Sequence, residues 1–438
     1  MWQTIKNSFK SKEVRTKILF TLLLVAIYRL GSFIPVPGID KSVISGAVTG
    51  NTFLGIISAI NGGALANGTL FAIGISPYIN ASIILQLLTV AIPSLERLSR
   101  QGDEGRKKLT QITRYFTVVL AAIQAVGILV AFNNQGVLNN ELISAEFVVP
   151  TWVLFIFVSL ILIAGATLCM WIGERITEYG VSNGMSLLIF VGILATAGNA
   201  IVGAIKSVIE GGFNAGGWEL LGVLAMAVII FAFIIFVDKA ERKITVQYAK
   251  QVKGNKMYGG QNTTIPVRVN GSGVLPLIFA FALTSFPEML FNTFWAGQSW
   301  VTWYTVNMGT SSWLYPIMLT IFIFLFAFFY QQVQFNPIEV SKNIQNNGGF
   351  IPGIRPGQPT AEYLTKVIQR ITFFGALFLA IIAFVPSILF QIVGAGNLGL
   401  LNTFTSTGLL IVVNVALEFD KALEQQLMMK YYKGFLNK

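Results

Sequence analysis

The sequence predicts an all-α polytopic membrane protein of ten transmembrane helices, and three observations carry that prediction. Mean hydropathy is +0.69, with only 11% charged residues and 35 Phe in 438 residues. The apolar residues fall into about ten runs, each near the ~20 residues that a helix needs to cross a bilayer. Of the 30 Lys and Arg, 27 lie in the N-terminal tail, the even-numbered connections and the C-terminal tail; the other three are Arg29, Lys41 and Lys206. Cytoplasmic loops carry the Lys/Arg excess, so both termini are expected in the cytoplasm. One missed or invented span would scramble this alternation, so the charge count also supports the span count.

The spans are expected at roughly 17–35, 71–91, 116–132, 150–171, 184–204, 217–237, 273–293, 313–333, 371–390 and 400–417. They lack the ten-residue alternation of an outer-membrane barrel. The basic start from Lys6 to Lys17 followed by an apolar run imitates a signal peptide. The run is longer than a signal core and no small-residue cleavage site follows, so it is expected to be retained. Tail 1–16 reads as an amphipathic surface helix. Pro35 and Pro37 break the first helix as it leaves the membrane. Arg29, near that outer end, is placed to snorkel or to cap carbonyls.

Residues 53–70 are apolar, Gly-rich and uncharged. Their helical part, about Leu54 to Ile60, is some two turns and too short to span. An external interfacial loop and a movable filler of a cavity both fit it. The connection 92–115 is strongly basic, with Arg97, Arg100, Arg106, Lys107, Lys108 and Arg114. Connection 238–272 is also basic, and its run Ile265-Pro266-Val267-Arg268-Val269 alternates like a strand. A protruding finger with β-pairing is expected there. A second finger, 334–370, centres on Gly348-Gly349-Phe350-Ile351-Pro352-Gly353-Ile354-Arg355-Pro356-Gly357, whose Gly/Pro density imposes a defined turn. Two long basic loops on one side exceed what orientation requires and point to a large cytosolic partner. Residues 1–204 and 205–438 hold five spans each. Five is odd, so the halves enter the membrane in opposite senses, as in an inverted repeat.

The chain contains no His and one Cys, Cys169, inside a span. Ser-His catalysis, His relays, His metal sites and a disulfide framework are therefore excluded. No Gly-Lys-Ser/Thr phosphate loop is present, so no nucleotide cofactor is expected and energy must come from a partner. Asp238, Glu288 and Glu418 fall at span ends, and the span centres are almost uncharged. That counts against an ion-coupled transporter of a small solute, the main rival reading. Paired midplane aspartates for an intramembrane protease are missing as well. Uncharged polar residues do occur inside spans, Asn80 and Gln86 among them, as interhelical glue or as a seam that parts. Ile75, Ile79 and Ile83 share one face of the second span. A lipid-facing or packed stripe and a water-excluding constriction both fit that spacing.

Several motifs together resemble the SecY family, the central subunits of the bacterial protein-translocation channel. They are Gly31-Ser32-Phe33-Ile34-Pro35-Val36-Pro37-Gly38, the run from Gly74 through Leu88, Met170 through Glu178, Gly180-Val181-Ser182-Asn183-Gly184, and Phe350 through Gly357. The resemblance covers essentially the whole chain. It implies two inverted five-helix halves forming a clamshell around an hourglass pore, in the cytoplasmic membrane of a bacterium. It implies a pore ring of Ile75, Ile79, Ile189, Ile193, Ile278 and Ile411. It implies a plug at about 54–66, with Leu54, Ile56, Ile57, Ile60 and Asn61. A lateral gate is implied at Asn80, Ile83, Gln86 and Phe286, opening the pore toward lipid. Arg242, Lys243, Lys250 and Arg355 on the fingers are implied to bind the motor ATPase SecA or the ribosome, including its RNA. SecE and SecG are the implied membrane partners and signal-bearing preproteins the cargo. No catalytic site, cofactor or metal is implied. The external stretches 133–149 and 294–312 carry no motif of the family.

Overall fold

A computed structural model of the chain describes residues 2–50, 58, 61–133, 136–138, 150–211, 217–248, 251–253, 256–258, 262–271, 273, 275–295, 297–309, 312, 314–393 and 406–436. Contacts divide it into two compact units. The first comprises Met1–Val223, Ala282–Tyr315 and Ala395–Lys438; the second comprises Leu224–Phe281 and Pro316–Gly394.

The helices of the first stretch are α1 (Trp2–Lys10), α2 (Lys12–Gly31), α3 (Lys41–Gly50), α4 (Ser76–Ala91), α5 (Pro93–Ser99), α6 (Asp103–Asn133), α7 (Thr151–Tyr179) and α8 (Gly184–Gly211). Then follow α9 (Gly217–Asp238), strands β1 (Glu241–Tyr248), β2 (Gln251–Lys253), β3 (Lys256–Tyr258) and β4 (Asn262–Arg268), and α10 (Leu275–Phe294). The chain continues through α11 (Ser299–Met308), α12 (Leu314–Gln334), α13 (Pro337–Asn346), β5 (Gly349–Phe350), α14 (Gln358–Val393) and α15 (Ser406–Leu436).

Each of the ten expected spans lies on one of these helices: α2, α4, α6, α7, α8, α9, α10, α12, α14 and α15. Among the described residues, five helices are long and apolar enough to cross a membrane, or six where the pair α4–α5, bent by 106°, counts as one span. Several boundaries differ from expectation, that of the third span among them, since its helix already starts at Asp103. The first span ends at Gly31, before the prolines, because Ser32 turns back: its amide and hydroxyl both donate to the Tyr28 carbonyl. The second begins at Ser76 rather than 71, with Pro77 in its first turn. The ninth is the C-terminal part of a helix that already starts at Gln358.

In the first unit α4 packs on α6, α6 on α7, and α7 on α8 and α2. Ile44, Leu129, Phe132, Leu154 and Leu162 are fully or almost fully buried in its main apolar cluster. Small residues let backbones approach, as membrane helices require in the absence of a hydrophobic drive between helices. Gly165 of α7 is one such case: a Cβ there would lie 1.9 Å from the Leu70 carbonyl oxygen. Cys169, one turn on, is buried packing as expected. Arg114 of α6 pairs with Glu174 of α7 at 2.8 Å. The expected surface helix is α1, which also packs against α15 and buries Ser8 completely.

In the second unit the two expected fingers are one structure. β1 pairs antiparallel with β4, Arg242 opposite Val267 and Lys243 opposite Pro266. β1 also pairs with β5 of the other finger, Tyr248 opposite Gly349. The order is β4-β1-β5. β4 is an edge strand, which is where a proline that cannot donate belongs. Ile244, Val246 and Val267 from the first finger share a core with Ile344, Ile351 and Leu364 from the second.

The Gly165 contact gives a test of the packing. Gly165→Val should cost ~1–3 kcal/mol by overpacking and lower the thermal midpoint of the purified protein. Gly198→Ala, where a Cβ meets nothing within 4 Å, should leave it unchanged. Equal midpoints for both variants would remove the α7–Leu70 approach from the account.

Candidate functional site

The implied pore-ring and plug residues meet the structure first at the exit of α2. Beyond Gly31 the chain turns, Phe33 donating to Leu30 and Ile34 to Gly31, and then pairs: Val36 donates to the Gly68 carbonyl at 2.9 Å while Leu70 donates to the Ile34 carbonyl at 2.9 Å. This short antiparallel pairing satisfies the backbone of an uncharged stretch that forms no spanning helix. Asp40 ends the exit segment. Its carboxylate accepts from the Ser42 hydroxyl and amide, which hold it below the usual carboxylate range.

Residues 61–75 pack as buried turns. Thr69 donates its hydroxyl to Ala64, and the Ser58 hydroxyl accepts from Ala66. Ala64 and Leu65 are inaccessible to solvent. Asn61, 2% exposed, donates its side-chain amide to the Ala72 carbonyl at 2.9 Å. Its Oδ1 sits 2.1 Å from where a Gly74 Cβ would be, and Gly74 has φ +62. Both facts demand glycine. Leu54, Ile56, Ile57 and Ile60 lie outside the described residues.

This turn reaches the expected ring positions on two sides. Gly74 precedes Ile75, which is 2% exposed. At Gly62 a Cβ would lie 3.2 Å from the Gly192 Cα, and Gly192 sits between Ile189 and Ile193 on α8, which are 4% and 6% exposed. α8 packs in turn on α15, where Ile411 is buried. Ile79 is half-buried. The first unit thus brings the 61–75 turn against α8 at Gly192, between the expected ring positions Ile189 and Ile193 in sequence. Ile278 belongs to the second unit and is half-buried there.

Of the gate residues, Asn80 and Ile83 are buried and Gln86 is exposed on the same helix. Phe286 lies on α10, and its side chain is outside the described residues. Of the finger residues, Arg242 and Lys243 are exposed on β1, and Lys243 reaches Glu241 at 3.5 Å. Lys250 is outside the described residues. Arg355 is exposed at the tip of a turn fixed from within. Its carbonyl accepts from the Thr360 hydroxyl at 2.8 Å, and Ser341 donates to the Gly357 carbonyl at 2.6 Å.

Arg29 was expected to snorkel outward or to cap carbonyls. It instead turns toward the buried turn, with Nη1 2.3 Å from where a Gly62 Cβ would be and the guanidinium 5.5 Å from the Phe33 ring centroid. Gly192, a small residue within an apolar helix, is a neighbour that no local pattern marks. The motif Gly180-Val181-Ser182-Asn183-Gly184 proves to be a helix connector: Asn183 accepts from the Met185 amide, and the Thr177 hydroxyl accepts from the Gly184 amide.

Comparison with known proteins decides the family. The SecY family profile matches residues 69–419. The chain belongs to the SecY family. A Protein translocase subunit SecY of Streptomyces scabiei is 42% identical over 446 residues, covering 100% of both chains. That of Halalkalibacterium halodurans is 40% identical over 445 residues with the same coverage. Among solved structures, "The structure of a protein conducting channel" aligns with TM-score 0.64 at 19% identity, covering 93% of this chain and 91% of that one. Sec61 in a canine ribosome-channel complex from the endoplasmic reticulum aligns at 0.61 and 17%, covering 93% and 91%. The chain therefore has the multi-pass fold of SecY and Sec61 and is a protein-translocation channel subunit rather than an enzyme. Nothing in this assignment supports the solute-transporter reading.

The Asn61–Gly74 contact can be probed directly. Gly74→Ala puts a Cβ into Asn61 and a non-glycine residue into the left-handed region, a cost of ~1–3 kcal/mol. Limited proteolysis in detergent should then cut within 58–74, a stretch protected in the unaltered protein. Unchanged protection would show that this contact does not hold the turn.

Proposed function

We propose that this chain is the channel through which unfolded, signal-bearing polypeptides cross the cytoplasmic membrane of a bacterium, and from which membrane segments pass sideways into lipid. The observation that carries the proposal is the approach of the buried 61–75 turn, which ends at Ile75, to α8: a Gly62 Cβ would lie 3.2 Å from the Gly192 Cα, between Ile189 and Ile193 in sequence. Full-length similarity to translocase subunits supports it.

The mechanism follows from what a polypeptide conduit needs. Passing side chains vary in size, so a rigid filter cannot serve. Ile75, Ile79, Ile189, Ile193, Ile278 and Ile411 form a ring of branched apolar side chains that yields around a chain and closes behind it. A narrow apolar ring also resists wetting, so ions leak little. The plug, about 54–66 and including Asn61, is a second barrier that swings away when the gate opens. A hydrophobic signal parts the seam at Asn80, Ile83, Gln86 and Phe286. Moving its side chains from water to lipid releases ~25 cal/mol per Å² of apolar surface. The inverted halves are residues 1–204 and 205–438, with both termini in the cytoplasm.

Work is supplied from outside, because the chain has no phosphate-cradling loop. The fingers are the docking platform for SecA or the ribosome, including ribosomal RNA, through Arg242, Lys243, Lys250 and Arg355. Their shared sheet supports this role: a push on one finger is transmitted to the other through β1. A solved relative of the same fold is described as bound to the ribosome. SecE and SecG complete the channel in the membrane.

The test is reconstitution with SecE, SecG and SecA in lipid vesicles, reading ATP-dependent protection of a preprotein from added protease. Protection should appear with the unaltered chain. It should fall at least ~10-fold with Arg355→Glu, which reverses charge where a long-range attraction steers docking. Arg355 is an exposed turn residue, so the variant should fold normally. Full protection with Arg355→Glu would remove the second finger from motor docking. No protection with a folded, unaltered complex would overturn the channel reading.

A further inference from the structure

The external stretch between the seventh and eighth spans, 294–312, has no place in the mechanism above, yet its composition is strongly biased. Glu288 is the sole charged residue between Arg268 and Glu339. Four of the eight tryptophans, Trp295, Trp300, Trp303 and Trp313, fall within it or at its edge. A soluble loop of this length carries charge. A lipid-buried one carries no such concentration of Trp. Uncharged, Trp-rich helices sit where hydrocarbon meets headgroups, because an indole places its ring in the apolar layer and its N–H among polar groups.

The structure gives this stretch two faces. α11 is fixed to the end of α10 by an aromatic cluster in the first unit. The Phe291 ring of α10 lies 5.1 Å from Trp300 and 5.2 Å from Tyr304, both edge-on, and 6.4 Å from Trp295. Val301 is 3% exposed on this inner side, and Glu288 is buried at 6% beneath Gly309. On the other side Trp303 is 59% exposed and Val306 68% exposed, one turn apart, with Trp300 still 45% exposed. These are large apolar side chains on one face with no ion among them. Leu290, next to the cluster, packs into the main core of the first unit. α11 is therefore attached to the protein body through α10 rather than free to roam.

We propose that α11 is an interfacial anchor: its Trp300–Trp303–Val306 face lies in the headgroup–acyl boundary of the bilayer and holds the end of α10 at that depth. The occupant of the exposed face is lipid. A protein partner would be met by charged or hydrogen-bonding side chains at its rim, and the flanks of this face offer none that are charged. On the orientation proposed above, the leaflet is the one opposite the fingers. In consequence the end of the helix that carries Phe286 is tied to the membrane surface. Bilayer thickness then acts on the gate side of the channel without any soluble factor.

The test uses the full chain in phosphatidylcholine vesicles with an environment-sensitive NBD label at Val306→Cys. Cys169 is buried and stays unlabelled. Doxyl groups on lipid near the headgroup should quench the label by about twofold or more, and aqueous iodide should not reach it. A label at Lys342→Cys, exposed on α13, should show the reverse. Trp300→Lys with Trp303→Lys should remove at least about half of the lipid quenching at 306. A label at 306 that iodide reaches, or one that neither quencher reaches, would overturn the anchor. The first result would put the face in water and the second under protein. Sidedness is read separately by impermeant dithionite added outside inverted membrane vesicles. Lipid quenching with loss of the label to dithionite would keep the anchor and overturn only the orientation.

Discussion

Hydrocarbon offers no partner to a charge or to an unpaired peptide group, and the architecture of this chain follows from that constraint. It forces the apolar runs into helices. It empties the span centres of ions, so that Glu288 stands alone across the long interval from Arg268 to Glu339. It also sets the terms for the one stretch that crosses the exit of α2 without being a spanning helix. Residues 61–75 survive there because their polar groups are paired: Asn61 donates to Ala72, Thr69 to Ala64, and Leu70 to Ile34 of the exit segment. Such a segment is held by a handful of short bonds and close glycine contacts rather than by a continuous helical ladder. That is the kind of element that releases as a unit.

The water-exposed side obeys a different logic. There the chain builds a small β-structure and a shared apolar core, so that two loops far apart in sequence act as one body. Arg242 and Lys243 lie on its central strand and Arg355 on a turn braced by Thr360 and Ser341. Charge is thus displayed on a rigid support, so the partner proposed above would not have to order a loop first.

Much of this was legible in the sequence, and the reasons are particular. The ten spans followed from hydropathy and from the alternation of Lys and Arg between connections, because both signals are set by the bilayer itself. The strand at β4 followed from alternation, and the turn at 349–357 from Gly and Pro. What stayed hidden depends on tertiary approach. The pairing of β1 with β5 joins residues about a hundred positions apart and leaves no local pattern. Gly192 looks like any small residue in an apolar helix until Gly62 is found against it. Arg29 was misread because only the path of the following chain shows which way its side chain turns. The role of Glu288 was likewise invisible, since a carboxylate at a span end reads the same whether it faces water or lies beneath Gly309.

The central claim, proposed above, is that polypeptide passes between Ile75, Ile79, Ile189, Ile193, Ile278 and Ile411. The direct measurement is photocrosslinking of a preprotein arrested midway, with a photoreactive residue placed at Ile193 in one variant and at Leu160, 59% exposed on α7, in another. The account predicts a preprotein adduct from position 193 and none from position 160. Adducts from 160 with none from 193 would mean that the chain travels elsewhere, and the ring assignment would fall with it.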